Sequence, residues 1–175
     1  MDRIRSYTTL LGAAALIVAF DQWTKFLVRS NLEFGEFWIP IPELAPYLRI
    51  IHWNNTGAAF GLFPAGGQIF TIIAVLVSLA ILVYFPRVPL QQGLLKVALS
   101  LELGGALGNL IDRLTLGTVT DFIAVAQIPV FNVADASITI GVVLLLAGMW
   151  LEERADVSAG ASESTGVEET STPGV

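Results

Sequence analysis

Cysteine is absent from this chain, and histidine occurs once, at His52. The first absence excludes disulfides, thiol nucleophiles and thiolate metal sites, and it fits a site facing an oxidising compartment. The second leaves no His-x-x-x-His zinc pair and no His-Glu-x-x-His motif. A serine–histidine dyad would need His52, yet no Gly-x-Ser-x-Gly is present, so His52 reads as a strand or interface residue. No glycine-rich phosphate loop precedes a helix, and no internal repeat is visible. Charge is scarce too, at 14% of residues. There is no basic patch interleaved with aromatics, which excludes nucleic acid as a partner.

Apolar residues fill the space that these absences leave. Of 175 residues 54% are hydrophobic, and the mean hydropathy is +0.72. Four segments, about 8–28, 66–85, 94–111 and 132–151, are long enough to cross a hydrocarbon core that needs roughly 20 helical residues. The first is interrupted by Asp21 and Lys25, the third by Glu102. The fold class is therefore an all-α integral membrane protein with four transmembrane helices. Arg3 and Arg5 ahead of an apolar run resemble a signal peptide, but Ala13–Ala15 lies inside the run rather than after it, so the segment reads as a retained first span. The net charge of −6 comes mostly from the tail, where Glu152 onward holds six acids and one arginine. Residues 1–155 read as one four-helix domain, and 156–175 as a disordered, acidic cytoplasmic tail.

Positive charge orients the bundle. Arg3, Arg5, Arg87, Lys96 and Arg154 all fall on one side, which the positive-inside rule makes cytoplasmic. Both termini are then inside and the two longer connections outside. In the first of these, Arg29–Ala65, Pro40, Pro42 and Pro46 break any helix. Tyr47–Trp53 is rich in β-formers, as is Thr118–Ile128, and the two can share a small extracytoplasmic sheet. Trp23, Trp38, Trp53 and Trp150 fall near the predicted interfaces, as an aromatic belt would.

The polar groups concentrate in Gly104–Asp135. Ionisable residues at membrane depth are costly and usually functional. Helical spacing puts Glu102, Gly105, Asn109 and Asp112/Arg113 on one face of the third span. Gly104-x-x-x-Gly108 permits close helix packing. Asp121 and Asp135 reach the same membrane surface, and the 14 residues between them allow a loop that folds back. Two carboxylates in contact share a proton and titrate as a pair, giving a base to activate water and an acid to polarise a peptide carbonyl. The positive end of the fourth span favours charge on Asp135, which leaves Asp121 as the proton carrier. Spacing alone equally permits Asp135 to be a plain helix cap, and Asp21–Lys25, an i, i+4 pair, to be either structural or functional.

Four blocks carry a resemblance: Asp21-Gln-Trp-Thr-Lys25; Asn55-Thr-Gly-Ala-Ala-Phe60; Gly104-Gly-Ala-Leu-Gly-Asn-Leu-Ile-Asp-Arg113 leading to Val119-Thr-Asp-Phe122; and Phe131-Asn-Val-Ala-Asp135. Together, in this order, they resemble lipoprotein signal peptidase (signal peptidase II), an intramembrane aspartic peptidase family, over all but the tail. The resemblance implies Asp121 and Asp135 as the catalytic pair, with Asp21, Lys25, Asn55, Asn109, Asp112, Arg113 and Asn132 binding substrate or supporting the site. Asn55 and Asn132 would hydrogen-bond substrate or intermediate, and Asp112 and Arg113 would hold the site together. No metal or cofactor is implied. The implied substrates are diacylglyceryl-modified prolipoproteins, cut just before the lipidated cysteine. The implied partners are those substrates and membrane lipids, and the implied setting is a monomer in the bacterial cytoplasmic (inner) membrane with its site near the outer face. Glu102 departs from the family, which usually has an apolar residue there; a protonated or hydrogen-bonded carboxyl in the helix interface, or a role in a polar groove below Asn109, would accommodate it. The competing reading is a non-enzymatic carrier or proton pathway, which predicts acids spread through membrane depth, whereas most of these sit at one surface.

Overall fold

A computed structural model describes residues 2–57, 66–89 and 92–168. In chain order these form α1 (Asp2–Asn31), β1 (Phe37–Trp38), β2 (Leu48–Asn55), α2 (Gly66–Tyr84), α3 (Gly93–Leu116), β3 (Val119–Val125) and α4 (Val133–Glu168), with single 3₁₀ turns at Pro42–Leu44 and Phe85–Arg87. Four helices are long and apolar enough to cross a membrane, over Tyr7–Asn31, Gly67–Arg87, Gly93–Leu116 and Val133–Leu151. Each coincides with a segment expected from hydropathy. The backbone of α4 continues helical past the span to Glu168, where disorder was expected from residue 156. Residues 169–175 lie outside the described residues, as do Ala58–Phe60 of the second matched block.

The order of packing follows from residue size. In α3 half of the most apolar stretch is buried within the protein, against 22% in each other span, so α3 is the central helix. It packs against α1, α2 and α4, and its glycines make this possible. A Cβ on Gly104 would stand 2.7 Å from Ile17 Cβ of α1, and one on Gly105 would clash with the Ala134 carbonyl oxygen of α4. Large apolar side chains such as Leu16, Phe26, Leu76 and Leu146 stay exposed, as they must where the solvent is lipid and every backbone group is satisfied within its helix. A buried cluster of Leu10, Ala14, Ile81, Phe85, Val88, Leu99 and Leu103 closes the end of the bundle that carries the α2–α3 turn.

At the other end α3 stops at Gly117, which takes a left-handed conformation (φ +76°) and donates its N–H to the Arg113 carbonyl at 3.2 Å; glycine is suited to that cap. β3 follows and pairs antiparallel with β2, and β2 with β1. The expected sheet is therefore present, with β2 and β3 close to the expected bounds and a two-residue β1 added. The register slips by one residue between Ile50 and Trp53: Ile50 faces Ile123, but Trp53 faces Asp121 and Asn55 faces Val119. This bulge decides a side-chain direction. Without it His52 would oppose Asp121, and Asn55, three residues on, would point to the opposite face from Asp121.

A side chain introduced at Gly105 has no room, whereas Gly12 of α1 has none of the described residues within 4 Å of its Cβ position. Gly105→Ala is expected to destabilise the protein by about 1–3 kcal/mol, while Gly12→Ala is neutral or stabilising by up to about 1 kcal/mol. Thermal unfolding in detergent measures both, and equal effects would contradict this packing.

Candidate active site

The segment after β3 doubles back. Phe131 bridges to Ile123, donating to and accepting from its backbone, and this delivers Asn132 to the start of α4 beside β3. Asn132 and Asp135 then cap the helix reciprocally. The Asn132 side-chain oxygen accepts the Asp135 N–H at 2.9 Å, and the Asp135 Oδ2 accepts the Asn132 N–H at 3.2 Å. This is a capping box built from Asn and Asp. Cap and functional candidate, offered as alternatives by spacing, are here one residue.

Asn132 also joins the two aspartates. Its fully buried amide nitrogen donates to Asp121 Oδ1 at 2.7 Å and to Asn109 Oδ1 at 3.1 Å. The Asn109 amide in turn donates to Asp135 Oδ1 at 2.7 Å. On its other oxygen Asp121 accepts from Asn55 at 2.9 Å, the contact that the bulge in β2 makes possible. Gly57 fixes Asn55 by donating its N–H to the side-chain oxygen at 2.8 Å.

Burial away from water pushes the Asp121 carboxyl up to about 6, well above the usual carboxylate range. The charge of Asp135 adds to this rise, while the hydrogen bonds from Asn55 and Asn132 and the charge of Lys25 oppose it.

A second polar layer lies behind the first. Asp21, Lys25 and Asp112 are all fully buried. Lys25 Nζ stands 2.8 Å from Asp21 and 3.2 Å from Asp112, and donates to Asn109 at 2.9 Å. Its three donors are thus used. Each carboxylate also holds a backbone N–H: Asp112 accepts that of Thr120 at 3.0 Å, and Asp21 that of Ala134 at 2.9 Å. These are the residues immediately before Asp121 and Asp135. Gly108 leaves room for this layer, since a Cβ there would stand 2.7 Å from Asp21 Oδ2; packing alone does not account for the glycine motif of α3.

Eight of the nine candidates from the sequence fall in these two layers, and the ninth, Arg113, lines the cavity beside them. Asp112 turns toward α1 and the ion cluster, while Glu102, Asn109 and Arg113 line a cavity with Asn55, Asp121 and Asp135. The shared face expected for Asp112 and Arg113 is therefore divided, because neighbouring helical positions diverge by about 100°. Arg113 lies over the Phe70 ring of α2, 5.7 Å from its centroid. Two residues were missed. Gln22 donates to Asp112 at 2.8 Å and to the Gly108 carbonyl at 3.0 Å, and its position inside the Asp21–Lys25 block was the available signal. Thr120, fully buried, accepts from Arg29 at 3.0 Å; its position inside the Val119–Phe122 block was likewise the available signal. His52 is a strand residue whose ring lies 2.9 Å from the Leu32 carbonyl oxygen.

The cavity is about 1050 Å³ and is bounded by α2, α3, α4 and the loop 126–130. It is lined mostly by apolar groups, with the two aspartates at one end. An apolar trough leading to two coupled carboxylates suits an apolar chain that must meet water at one point.

Comparison with known proteins agrees. Residues 13–151 match the family model described as signal peptidase (SPase) II. The chain belongs to the signal peptidase II family. A lipoprotein signal peptidase of Acinetobacter baumannii is 43% identical over 152 residues, covering 82% of this chain and 84% of the relative. One of Moorella thermoacetica is 42% identical over 132 residues, covering 75% and 86%. Two solved bacterial membrane enzymes superpose with TM-scores of 0.75 and 0.73 at 34% and 35% identity, covering 83% and 81% of this chain and 89% and 92% of theirs. As a signal peptidase II family member, the chain is a multi-pass bacterial membrane peptidase, and the carrier reading is set aside.

Lys25→Met leaves two buried carboxylates without their cation. It is expected to destabilise the protein by about 3–5 kcal/mol. Adding Asp21→Asn and Asp112→Asn, which removes the stranded charges, should restore part of that loss. Unfolding temperatures of the single and triple variants in detergent test this, and a harmless Lys25→Met would refute the ion cluster's role.

Proposed function

We propose that this chain is an aspartic endopeptidase that removes the signal peptide from diacylglyceryl-modified prolipoproteins just before the lipidated cysteine. The observation that carries this reading is the joining of Asp121 and Asp135, from different elements, through Asn132, whose side-chain amide donates to Asp121 and whose backbone N–H donates to Asp135, beside an apolar cavity. The family's relatives are lipoprotein signal peptidases, which supports the substrate class.

In this mechanism Asp135 is the charged partner. It sits at the third position of α4, where the helix dipole favours negative charge, and it takes the proton of the attacking water. Asp121 carries the shared proton and gives it to the peptide carbonyl oxygen as the water oxygen bonds to carbon. The resulting diol collapses when its C–N bond breaks: one hydroxyl returns its proton to Asp121 as the new carbonyl forms, and the proton held on Asp135 passes to the leaving nitrogen. Asn55 and Asn132 hold Asp121 and stand beside the substrate; Asn109 holds Asp135; Arg113 lines the cavity beside them; Asp21, Lys25 and Asp112 fix the backbone behind. The substrate's acyl chains stay against lipid and the apolar outer faces of the bundle. Both termini are cytoplasmic, the site lies near the outer face, and the enzyme works as a monomer. Residues 1–155 are the peptidase unit.

A gel-shift assay with diacylglyceryl-modified prolipoprotein tests the reading. The native chain and a chain ending at Ala155 should release the signal peptide, while Asp121→Asn and Asp135→Asn each lose roughly 10³-fold in rate. Near-native turnover by either Asn variant would rule out the two-aspartate mechanism.

The pH profile is a separate test. Since Asp121 must be protonated and titrates at about 6 in the free enzyme, kcat/KM should fall as pH rises through that value. The hydrogen bond from Asn55 lowers the Asp121 pKa, so Asn55→Ala should move the alkaline limb to higher pH. A shift to lower pH would contradict the assignment.

A further inference from the structure

Glu102 has no part in the mechanism above, and its buried Oε1 has no hydrogen-bond partner among the described residues. It lies seven residues before Asn109 on α3, about 10 Å along the helix axis, and lines the same cavity as the two aspartates. Its place is built by a second helix: a Cβ on Gly141 of α4 would stand 2.7 Å from Glu102 Cγ. Between Glu102 and the aspartates the walls are apolar, with Ala74 and Val77 on α2, Ala106 on α3, and Ile138 on α4. One unpaired acceptor thus stands in an apolar trough at membrane depth, where polar groups are retained for function.

The peptide to be cut creates the matching need. An apolar signal segment satisfies its own backbone in lipid only while it is helical. A peptide bond inside a helix has its carbonyl engaged four residues on, so the aspartates can reach only a bond in an unwound stretch. The unwound residues bring N–H groups with no water to bond to. A distance of about 10 Å corresponds to about three extended residues at roughly 3.3 Å each.

We propose that Glu102 accepts a backbone N–H of the signal peptide where it leaves the helix, about three residues on the N-terminal side of the cut. Glu102 is then a specificity-determining residue, setting how near to the cut the substrate helix extends. This rests on the peptidase reading, and the experiment separates the two. Steady-state kinetics with full-length diacylglyceryl-modified prolipoprotein in liposomes compares the native chain, Glu102→Leu and Glu102→Gln, with unfolding temperatures measured in parallel. Loss of one such hydrogen bond should raise KM roughly five- to tenfold in Glu102→Leu with kcat little changed. Glu102→Gln, which keeps an acceptor, should recover the native KM. A native KM in Glu102→Leu, or no recovery in Glu102→Gln, overturns the proposal. So does a fall in kcat and unfolding temperature together, which marks a structural role. If Glu102→Leu does not fold, Glu102→Met takes its place. Failure of the native chain to cleave would instead count against the peptidase reading.

Discussion

Lys25 donates to Asp21, Asp112 and Asn109 in the interior of the bundle, and the site depends on this one ammonium group. Asp112 holds the N–H before Asp121, Asp21 holds the N–H before Asp135, and Asn109 bonds Asp135 itself. Three helices and a strand are thereby registered against a single charge. The donors of Gln22, Thr120 and Ala134 complete the hydrogen bonding of the two buried carboxyl groups in place of water.

Close approach makes the cluster possible. Gly104, Gly105 and Gly108 bring α1, α4 and the Asp21 carboxylate against α3. Small residues let helices meet in lipid, where no hydrophobic force drives them together. The same contact shields the ion cluster from water and so strengthens each of its hydrogen bonds.

Much of this was legible in the sequence. The spans are runs of apolar residues, which lipid requires, and Asp21–Lys25 is visible as an i, i+4 pair. The pairing of Asp121 with Asp135 followed from their reaching one surface, and the resemblance added Asn109 and Asn132 to them. What was not legible depends on geometry that local pattern does not encode. The division of Asp112 from Arg113 follows from where α1 lies. The alignment of Asn55 with Asp121 follows from a one-residue bulge between Ile50 and Trp53 that no residue type announces. β1, two residues long, is too short to have a period. Gln22 stood inside a recognised block, but only its bonds to Asp112 and Gly108 show that it belongs to the polar layer.

The reciprocal cap of Asn132 and Asp135 has a mechanical corollary. Because the first turn of α4 and the carboxylate of Asp135 are the same object, α4 can neither slide nor rotate without dismantling the site, and Gly105 pinned against Ala134 blocks the motion from the α3 side. The molecule is thus divided into α1, α3 and α4, tied together by the polar layers, and α2, whose main neighbour among the spans is α3. The α2 side of the cavity, with Ile73, Ala74 and Val77, is then an apolar wall that takes no part in holding the aspartates.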